Sequence, residues 1–401
     1  MYNLPPMPGD AALMNRNETQ RPMTGREAVA AVLAGRRPER IVYSPNYWQW
    51  FAHHERRGLP PEIAHCKSQL DLLRHLGLDV LSRNLYSDQQ TCWLGGLSDL
   101  VWSGVTCEER ETRQGQDRVF HRVYHTKKGT LTERQRYRTD QSTLVQEKFV
   151  VDDLPRELDA LEELVRGRRW RFAADRYRAV QAEVGQDGYV VAGELYCPLK
   201  MLHFAMNPVN TCYLLVDDPG RAAALVALHE AAMLDLAEQI AAAGVPAMLA
   251  MDNLDTLFHT PSAVRQCSAS FYEQAARICH AHGSRLLVHA CGRQRAVLGL
   301  LASLGVDGLE GVAAPPLGDV ELDEALRLLG DRGIVTGGIS ALEFERLRTR
   351  EAVFAYVRDL FARMAPFAHR FVFSSSCNTP ITAPWETLKH FRDAWRELGG
   401  L

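Results

Sequence analysis

Three features of the sequence predict an α/β fold, specifically a (β/α)8 TIM barrel with an antiparallel β-meander insertion. Eight short apolar or β-branched runs alternate with Ala/Leu/Arg-rich segments of helical pattern. No G-x-G-x-x-G motif follows the first run, so the usual fingerprint of a dinucleotide-binding open sheet is missing. Residues 100–151 show polar, period-two patterning that is typical of antiparallel strands. An open parallel sheet with the same strand count is the alternative topology.

The strands are predicted from short apolar runs, and the helices from the longer segments between them. The predicted strands are Ile41–Ser44, Asp79–Arg83, Tyr189–Tyr196, Ala247–Asp252, Arg285–Cys291, Asp307–Val312, Ile334–Ile339 and Arg370–Ser375. The predicted helices include Pro219–Ala243, Thr260–Ala281, Gln294–Leu304, Leu322–Leu328 and Thr349–Met364. Asp217 and Asp218 precede Pro219, and Thr260 precedes Pro261, which are typical signals for the start of a helix.

The chain is expected to form one structured domain after a short tail. Residues 1–23 lack a basic region followed by an apolar stretch, so we interpret them as a flexible tail and not as a secretory signal. Residues 24–401 are then a single barrel domain, with the 100–151 segment inserted into it. This insertion is interpreted as a solvent-facing layer, with a lid or a partner platform as the alternative. It is also a candidate surface for a homodimer.

Composition excludes several functional classes. The 401 residues carry 46 Lys and Arg against 49 Asp and Glu, so the protein lacks the large positive charge that binds nucleic acid. No run of about eighteen apolar residues is present, which argues against a membrane span. Nine cysteines without a signal sequence favour free thiols in a reducing, cytoplasmic compartment.

A metal site is predicted where three strand-end residues would meet. His289 and Cys291 are two positions apart on one strand, so their side chains share a face, and Cys377 follows the last strand. Barrels of this type place function at these carboxyl ends. One imidazole and two thiolates suit Zn²⁺, and three protein ligands leave a fourth position open, as in catalytic zinc sites. The alternative is a buried histidine beside two small core thiols.

Further strand-end residues are candidates for the same pocket. Asp252 and Glu310 are the candidate catalytic acids, either completing the zinc ligands or orienting His289. A capping or salt-bridged carboxylate is the alternative for each acid. The candidate substrate-binding residues are Asn253, Tyr47, Trp50, Glu194 and Tyr196, with His203 beside the last of these. For the aromatic residues after strand one, a position in the core is the alternative.

Taken together, these residues resemble the uroporphyrinogen decarboxylase superfamily, and within it the zinc methyltransferases that act with corrinoid proteins. The stretches that carry the resemblance are Arg26–Val29 with Gly35–Ile41; Asp252-Asn253 with Thr260-Pro261 and His282-Gly283; His289–Gly292 with Gly305–Asp307, Pro315–Asp319 and Gly337–Ile339; and Ser374–Cys377 with Pro380 and Pro384. The decarboxylases carry an M-R-Q-A-G-R loop after the first strand, whereas this chain reads YWQWFAHHERR there. That difference argues against porphyrinogen decarboxylation.

The resemblance implies a function and a set of partners. It implies that His289, Cys291 and Cys377 bind zinc, and that a methyl group moves between a corrinoid and a small thiol or a methylated O, N or S substrate. The chain has no D-x-H-x-x-G signature, so the corrinoid (cobalamin) would be carried by a separate protein. Two anionic thiolate ligands favour a thiol acceptor. A metal-independent, decarboxylase-like lyase and a non-catalytic small-molecule-binding barrel are the alternatives.

Overall fold

The computed structural model describes residues 21–83, 85 and 96–401, so most of the predicted tail lies outside the described residues. The strands are β1 Val42–Tyr43, β2 Val80–Ser82, β3 Ser98–Trp102, β4 Thr106–Gln114, β5 Asp117–Thr126, β6 Gly129–Arg138, β7 Thr143–Lys148, β8 Arg168–Phe172, β9 Gly188–Val190, β10 Ala192–Leu195, β11 Ala247–Ala250, β12 Arg285–His289, β13 Gly308–Val312, β14 Ile334–Ile339 and β15 Phe371–Ser375. The helices are α1 Gly25–Leu33, α2 Trp48–Glu55, α3 Gln69–Leu76, α4 Leu154–Gly167, α5 Ala174–Val184, α6 Pro198–Asp217, α7 Pro219–Ala242, α8 Pro261–Cys267, α9 Ala269–Ala281, α10 Arg295–Ser303, α11 Leu322–Leu328, α12 Ala341–Arg346, α13 Arg350–Met364 and α14 Trp385–Leu398.

Helix starts follow the capping chemistry of the sequence. The α1 helix begins with a capping box, in which Thr24 accepts from the Glu27 N–H and the Glu27 side chain accepts from the Thr24 N–H. The Asp218 side chain caps α7, and Thr260 caps α8, each just before a proline in the first turn. The predicted starts of these two helices are therefore confirmed.

The main sheet confirms the predicted α/β class. Seven strands are parallel and lie in the order β1-β15-β14-β13-β12-β11-β10. Between consecutive strands the chain forms helices, which is the connection that parallel strands require. In this sheet His289 of β12 lies directly beside Glu310 of β13. The carboxyl ends of these neighbouring strands therefore meet at one edge.

A second, two-stranded parallel sheet touches both ends of the main sheet. It contains β2 and β9, and β9 is separated from β10 by Val191 alone. At the other end, the Asp79 N–H donates to the Tyr43 carbonyl of β1 over 3.0 Å. The Asp79 carboxylate is buried, and Arg40 holds it with two hydrogen bonds of 2.6 and 2.7 Å. This paired arginine compensates a charge that would otherwise be costly to bury.

The segment between β2 and β9 carries its own layer. Strands β4, β5, β6 and β7 pair antiparallel in chain order, and β3 pairs antiparallel with β8. A separate apolar cluster joins this layer to α4, α6 and α7, and it includes Tyr124, Leu131, Leu161, Leu202 and Leu225. We call the four-stranded sheet β4–β7 the added sheet. The cluster packs it against α6, the helix that follows β10.

No helix among the residues that the structure describes is both long and apolar enough to cross a lipid bilayer.

Candidate metal centre

The three predicted metal ligands converge at the carboxyl edge of the main sheet. His289 is the last residue of β12, Cys291 lies two residues later, and Cys377 lies two residues beyond β15. Their ligand atoms all lie within 4.8 Å of one another. The His289 Nε2 and the Cys377 Sγ are 3.9 Å apart. His289 is almost completely buried, while both cysteines are partly accessible.

Glu310 fixes the orientation of the His289 ring. The two residues are register partners on β12 and β13, and the Nδ1–H of His289 donates to Oε2 of Glu310. The same oxygen lies 3.8 Å from the Arg83 guanidinium. Glu310 keeps a proton on Nδ1, so Nε2 is the ring nitrogen that faces Cys377 and binds a metal once it has lost its own proton. A carboxylate behind a histidine in this way is a usual support for a metal-binding imidazole.

The charges of this pair stabilise each other. Burial raises the pKa of the Glu310 carboxyl, but the charges of His289 and Arg83 outweigh that effect and lower this pKa to about 2. Burial lowers the pKa of His289, whereas the Glu310 charge and the hydrogen bonds to Cys377 and Glu310 raise it to about 9. The carboxylate is therefore ionised at neutral pH.

The pKa values of the two thiols are shifted in opposite directions. A hydrogen bond from Cys291 lowers the pKa of Cys377 well below its usual range, although burial opposes this. The same hydrogen bond, together with burial, raises the pKa of Cys291. The direction of these shifts favours the thiolate, the form that binds metals, at Cys377.

The donor set fits a zinc ion. A tetrahedral zinc with bonds of about 2.0–2.1 Å to nitrogen and about 2.3 Å to sulfur separates such a pair by roughly 3.6 Å. The observed spacing of 3.9 Å between Nε2 of His289 and Sγ of Cys377 is close to that value. The residues present thus suit the ion in both chemistry and spacing.

Gly311 makes room for the His289 ring. Its φ is +95°, and a Cβ at this position would lie 2.6 Å from the Ser376 carbonyl oxygen and 3.0 Å from Cε1 of His289. We expect Gly311→Ala to lower the free energy of unfolding by about 2–3 kcal/mol, from the strained φ and the overlap together. Urea denaturation measures this change.

Gly299→Ala is the matched control for Gly311→Ala. Gly299 lies inside α10 with no atom within 4 Å of an added Cβ, so alanine there should raise stability by about 0.5–1 kcal/mol. Equal unfolding midpoints for the two variants would contradict the steric role assigned to Gly311.

A cavity of about 490 Å³ adjoins Cys291, and we call it the Cys291 pocket. Its walls come from α6, from the loop after β11 and from the added sheet. The residues that line it are Gln135, Leu144, Gln146, Phe149, Lys200, His203, Phe204, Pro208, Asn253, Asp255, Phe258, His259 and Cys291. This volume lies within the usual range of small-molecule sites.

The polar side chains of the Cys291 pocket include one cation and two neutral imidazoles. The Lys200 amino group lies 4.8 Å above the Phe204 ring, and burial lowers its pKa. The His203 and His259 rings meet edge to face at 5.1 Å. Burial lowers the pKa of His203 to about 4 and that of His259 to about 3, so both rings are neutral at pH 7.

The two predicted residues after β11 have different positions. Asn253 lines the Cys291 pocket and has a positive φ of 45°. Asp252 is fully buried, where it accepts from the Cys197 N–H at 2.7 Å and from the Tyr272 hydroxyl at 2.6 Å. The structure thus brings Asn253 to the pocket and holds Asp252 beneath it.

The remaining predicted substrate-binding residues do not line the Cys291 pocket. The Tyr47 hydroxyl bonds to that of Tyr43, and the Trp50 indole donates to the Ala383 carbonyl, so both belong to the core. Glu194 is fully buried and accepts from the Leu97 N–H, and burial raises its pKa to about 7. Tyr196 lines a different cavity.

Lys200 and His259 are pocket residues that the sequence analysis missed. Lys200 lies in the first turn of α6, and His259 immediately precedes the α8 cap. A signal was present, because both follow predicted strand ends by a few residues. Without the pairing of the strands, however, nothing distinguished them from other loop residues.

One family profile and a set of solved structures match this chain. Residues 142–398 match the profile of the family described as Uroporphyrinogen decarboxylase (URO-D), and no curated protein matches the chain significantly. A solved methyltransferase from Methanosarcina mazei has a TM-score of 0.60 at 15% identity, covering 94% of this chain and 99% of its own. A D-psicose 3-epimerase from Clostridium cellulolyticum H10, solved with D-tagatose, has a TM-score of 0.36 at 10% identity and covers 57% of this chain and 84% of its own.

The family match includes the centre described above. It spans more than half of the chain and contains His289, Cys291, Glu310 and Cys377, although it begins after the resemblance seen at residues 26–41. At 15% identity, the likeness to the Methanosarcina protein shows a shared fold. The resemblance read from the sequence is confirmed at the level of the family: the chain belongs to the uroporphyrinogen decarboxylase (URO-D) family.

Proposed function

We propose that this protein is a zinc-dependent methyltransferase. It would move a methyl group between a corrinoid on a separate protein and a small thiol or a methylated O, N or S substrate. The observation that carries the proposal is the meeting of one imidazole and two thiols, with Glu310 behind the imidazole, at the wall of the Cys291 pocket. The methyltransferase fold neighbour from Methanosarcina mazei supports the same reaction class.

We also infer that the two parallel sheets close into one eight-stranded barrel over residues 24–401, with 100–151 as its inserted meander. Support comes from a narrow space of about 20 Å³ that residues from every strand position surround. These residues are Ser44, Leu81, Val191, Leu249, Leu287, Glu310, Thr336 and Val372. In such a barrel the metal centre lies at the carboxyl end, where (β/α)8 enzymes carry their active sites.

In this proposal His289, Cys291 and Cys377 hold the zinc. When bound there, zinc supplies a positive charge that lowers the pKa of a coordinated thiol and keeps it as the nucleophilic thiolate. Glu310 holds the proton of His289 on Nδ1, and so keeps Nε2 available as a ligand. Glu310 is therefore a positioning residue.

The Cys291 pocket would bind the small substrate. Lys200 provides a cation that attracts an anionic or polar group, while His203 and His259 provide neutral hydrogen-bonding rings. We assign Asp252 a positioning role, because it anchors the Cys197 N–H at the start of α6, the helix that carries Lys200. Asn253 lies at the pocket surface and can contact the substrate.

The direct test combines metal analysis with a transfer assay. Protein purified without chelator should contain one zinc per chain by plasma mass spectrometry. It should also transfer the methyl group of methylcobalamin to at least one member of a panel of small thiols. Chelator treatment should abolish turnover, and added zinc should restore it. Absence of zinc, together with release of carbon dioxide from a carboxylated substrate, would instead support the lyase.

A further inference from the structure

A second cavity lies between the added sheet and α6, apart from the metal centre. It has a volume of about 300 Å³, and we call it the Arg168 cavity. Residues from β3, β4, β5, β6, β8, α4 and α6 surround it. This volume is at the lower end of the range of small-molecule sites, and it is many times the space that one water needs.

The walls of the Arg168 cavity are mainly aromatic and aliphatic. The aromatic residues that line it are Trp102, Tyr124, Trp170, Tyr196 and Phe204. Rings that surround a space of this size favour a flat, apolar body over a small hydrated ion. The shape and chemistry of the walls therefore indicate an aromatic ligand.

Arg168 in this cavity has a buried Nε–H without an acceptor in the part of the chain that the structure describes. The Nε of Arg168 is buried and lacks a hydrogen-bond partner among the described residues, and its guanidinium lies 4.8 Å above the Trp170 ring. No salt bridge joins its guanidinium to a described carboxylate, although Glu133 of the same cavity lies near enough to interact with its charge. Buried donors are nearly always paired in folded proteins, so the missing acceptor needs an explanation.

Arg122 lines the same cavity, and its guanidinium has several hydrogen-bond partners. Its guanidinium donates to Glu109 at 2.6 Å and to Gln135 at 2.6 Å, and it contacts Glu133 at 3.3 Å. Both oxygens of Glu133 are already used, since Tyr124 and Gln146 donate to them. The hydrogen bonds of Glu109 and Glu133 among the described residues therefore go to Arg122, Tyr124 and Gln146, and Glu133 acts on Arg168 only through its charge.

We propose that the Arg168 cavity is a second ligand site, which binds an aromatic carboxylate. The carboxylate would accept from the guanidinium of Arg168, whose planar fork matches its two oxygens. The aromatic ring would lie among Trp102, Trp170 and Phe204. The site is separate from the metal centre, because none of His289, Cys291 and Cys377 lines it. The inference does not depend on the proposed methyl transfer.

The test compares a charged probe with an uncharged probe of the same shape. Isothermal titration calorimetry with 2-naphthoate and 2-naphthamide should show at least tenfold tighter binding of the acid to the wild type. Arg168→Gln should remove that preference. Arg169→Gln, on the exposed side of the same strand, should leave it unchanged. Ala205→Phe, which fills the cavity, should abolish the binding of both probes.

Two further measurements test whether a change in probe binding comes from altered folding or from binding at the metal centre. Thermal melting and zinc content of Arg168→Gln should match those of Arg169→Gln. Naphthoate should still bind Cys377→Ser, since a carboxylate that bound at the metal centre would be lost there. The proposal is overturned if wild type binds neither probe, if it binds both equally, or if the acid preference survives in Arg168→Gln.

Discussion

Replacing Cys377 with serine should remove most of the bound zinc and lower the rate of methyl transfer by roughly 100-fold or more. Loss of a direct ligand should exceed the 10–100-fold effect that is typical of a residue behind a ligand. A serine hydroxyl stays protonated at neutral pH, so it cannot replace the thiolate that His289 and Cys291 stabilise at this position. Metal analysis and the methylcobalamin assay measure the two effects.

The control for this variant is another cysteine of the same chain. Cys212 is exposed on α6, so Cys212→Ser should retain zinc and full activity. Thermal melting of both variants shows whether the fold is kept. Full activity in Cys377→Ser, with zinc still bound, would rule out its assignment as a ligand.

Replacing Glu310 with glutamine should weaken zinc binding by about 10- to 100-fold while leaving the three ligands in place. The amide keeps the size of the side chain but removes the negative charge that holds the proton on Nδ1 of His289. Its NH₂ group can also donate to that nitrogen and shift the proton to Nε2, which would block the ligand atom. Competition with a zinc-selective dye measures the affinity.

Two comparisons separate this positioning role from a general loss of structure. Glu321 lies at the exposed start of α11, where it pairs with Arg363, so Glu321→Gln should keep wild-type affinity. Glu310→Asp, which keeps the charge, should recover part of the loss. If Glu310→Gln and Glu310→Asp bind zinc equally, charge is not what Glu310 contributes.

Much of the scaffold could be predicted from the sequence, because strand runs and helix caps are local signals. The runs that predict β12, β13 and β15 also place His289 at the end of a strand, Glu310 within the neighbouring strand and Cys377 two residues beyond a strand, so these residues could be selected together. Predicting the hydrogen bond between His289 and Glu310 requires the register of β12 and β13. A single sequence does not contain that register.

The residues that line the Cys291 pocket are harder to predict from the sequence, for a physical reason. Polar or aromatic residues after a strand can point either to the mouth or into the core, and residue type does not decide which. Tyr47 and Trp50 lie in the core, whereas Lys200 and His259 face the Cys291 pocket. Lys200 and Gln135 line the same pocket because α6 packs against the added sheet, and these two segments are far apart in the sequence.

The added sheet contributes part of the wall of the Cys291 pocket but none of the three residues of the metal centre. Gln135 of β6 and Gln146 of β7 bond to each other at 2.8 Å and line the Cys291 pocket, yet the family match begins only at residue 142. One wall of the pocket therefore comes partly from outside the family's shared sequence, whereas the metal centre lies entirely within it. Under the proposed function, substitutions at Gln135 would therefore change which molecules the pocket accepts while His289, Cys291 and Cys377 stay unaltered.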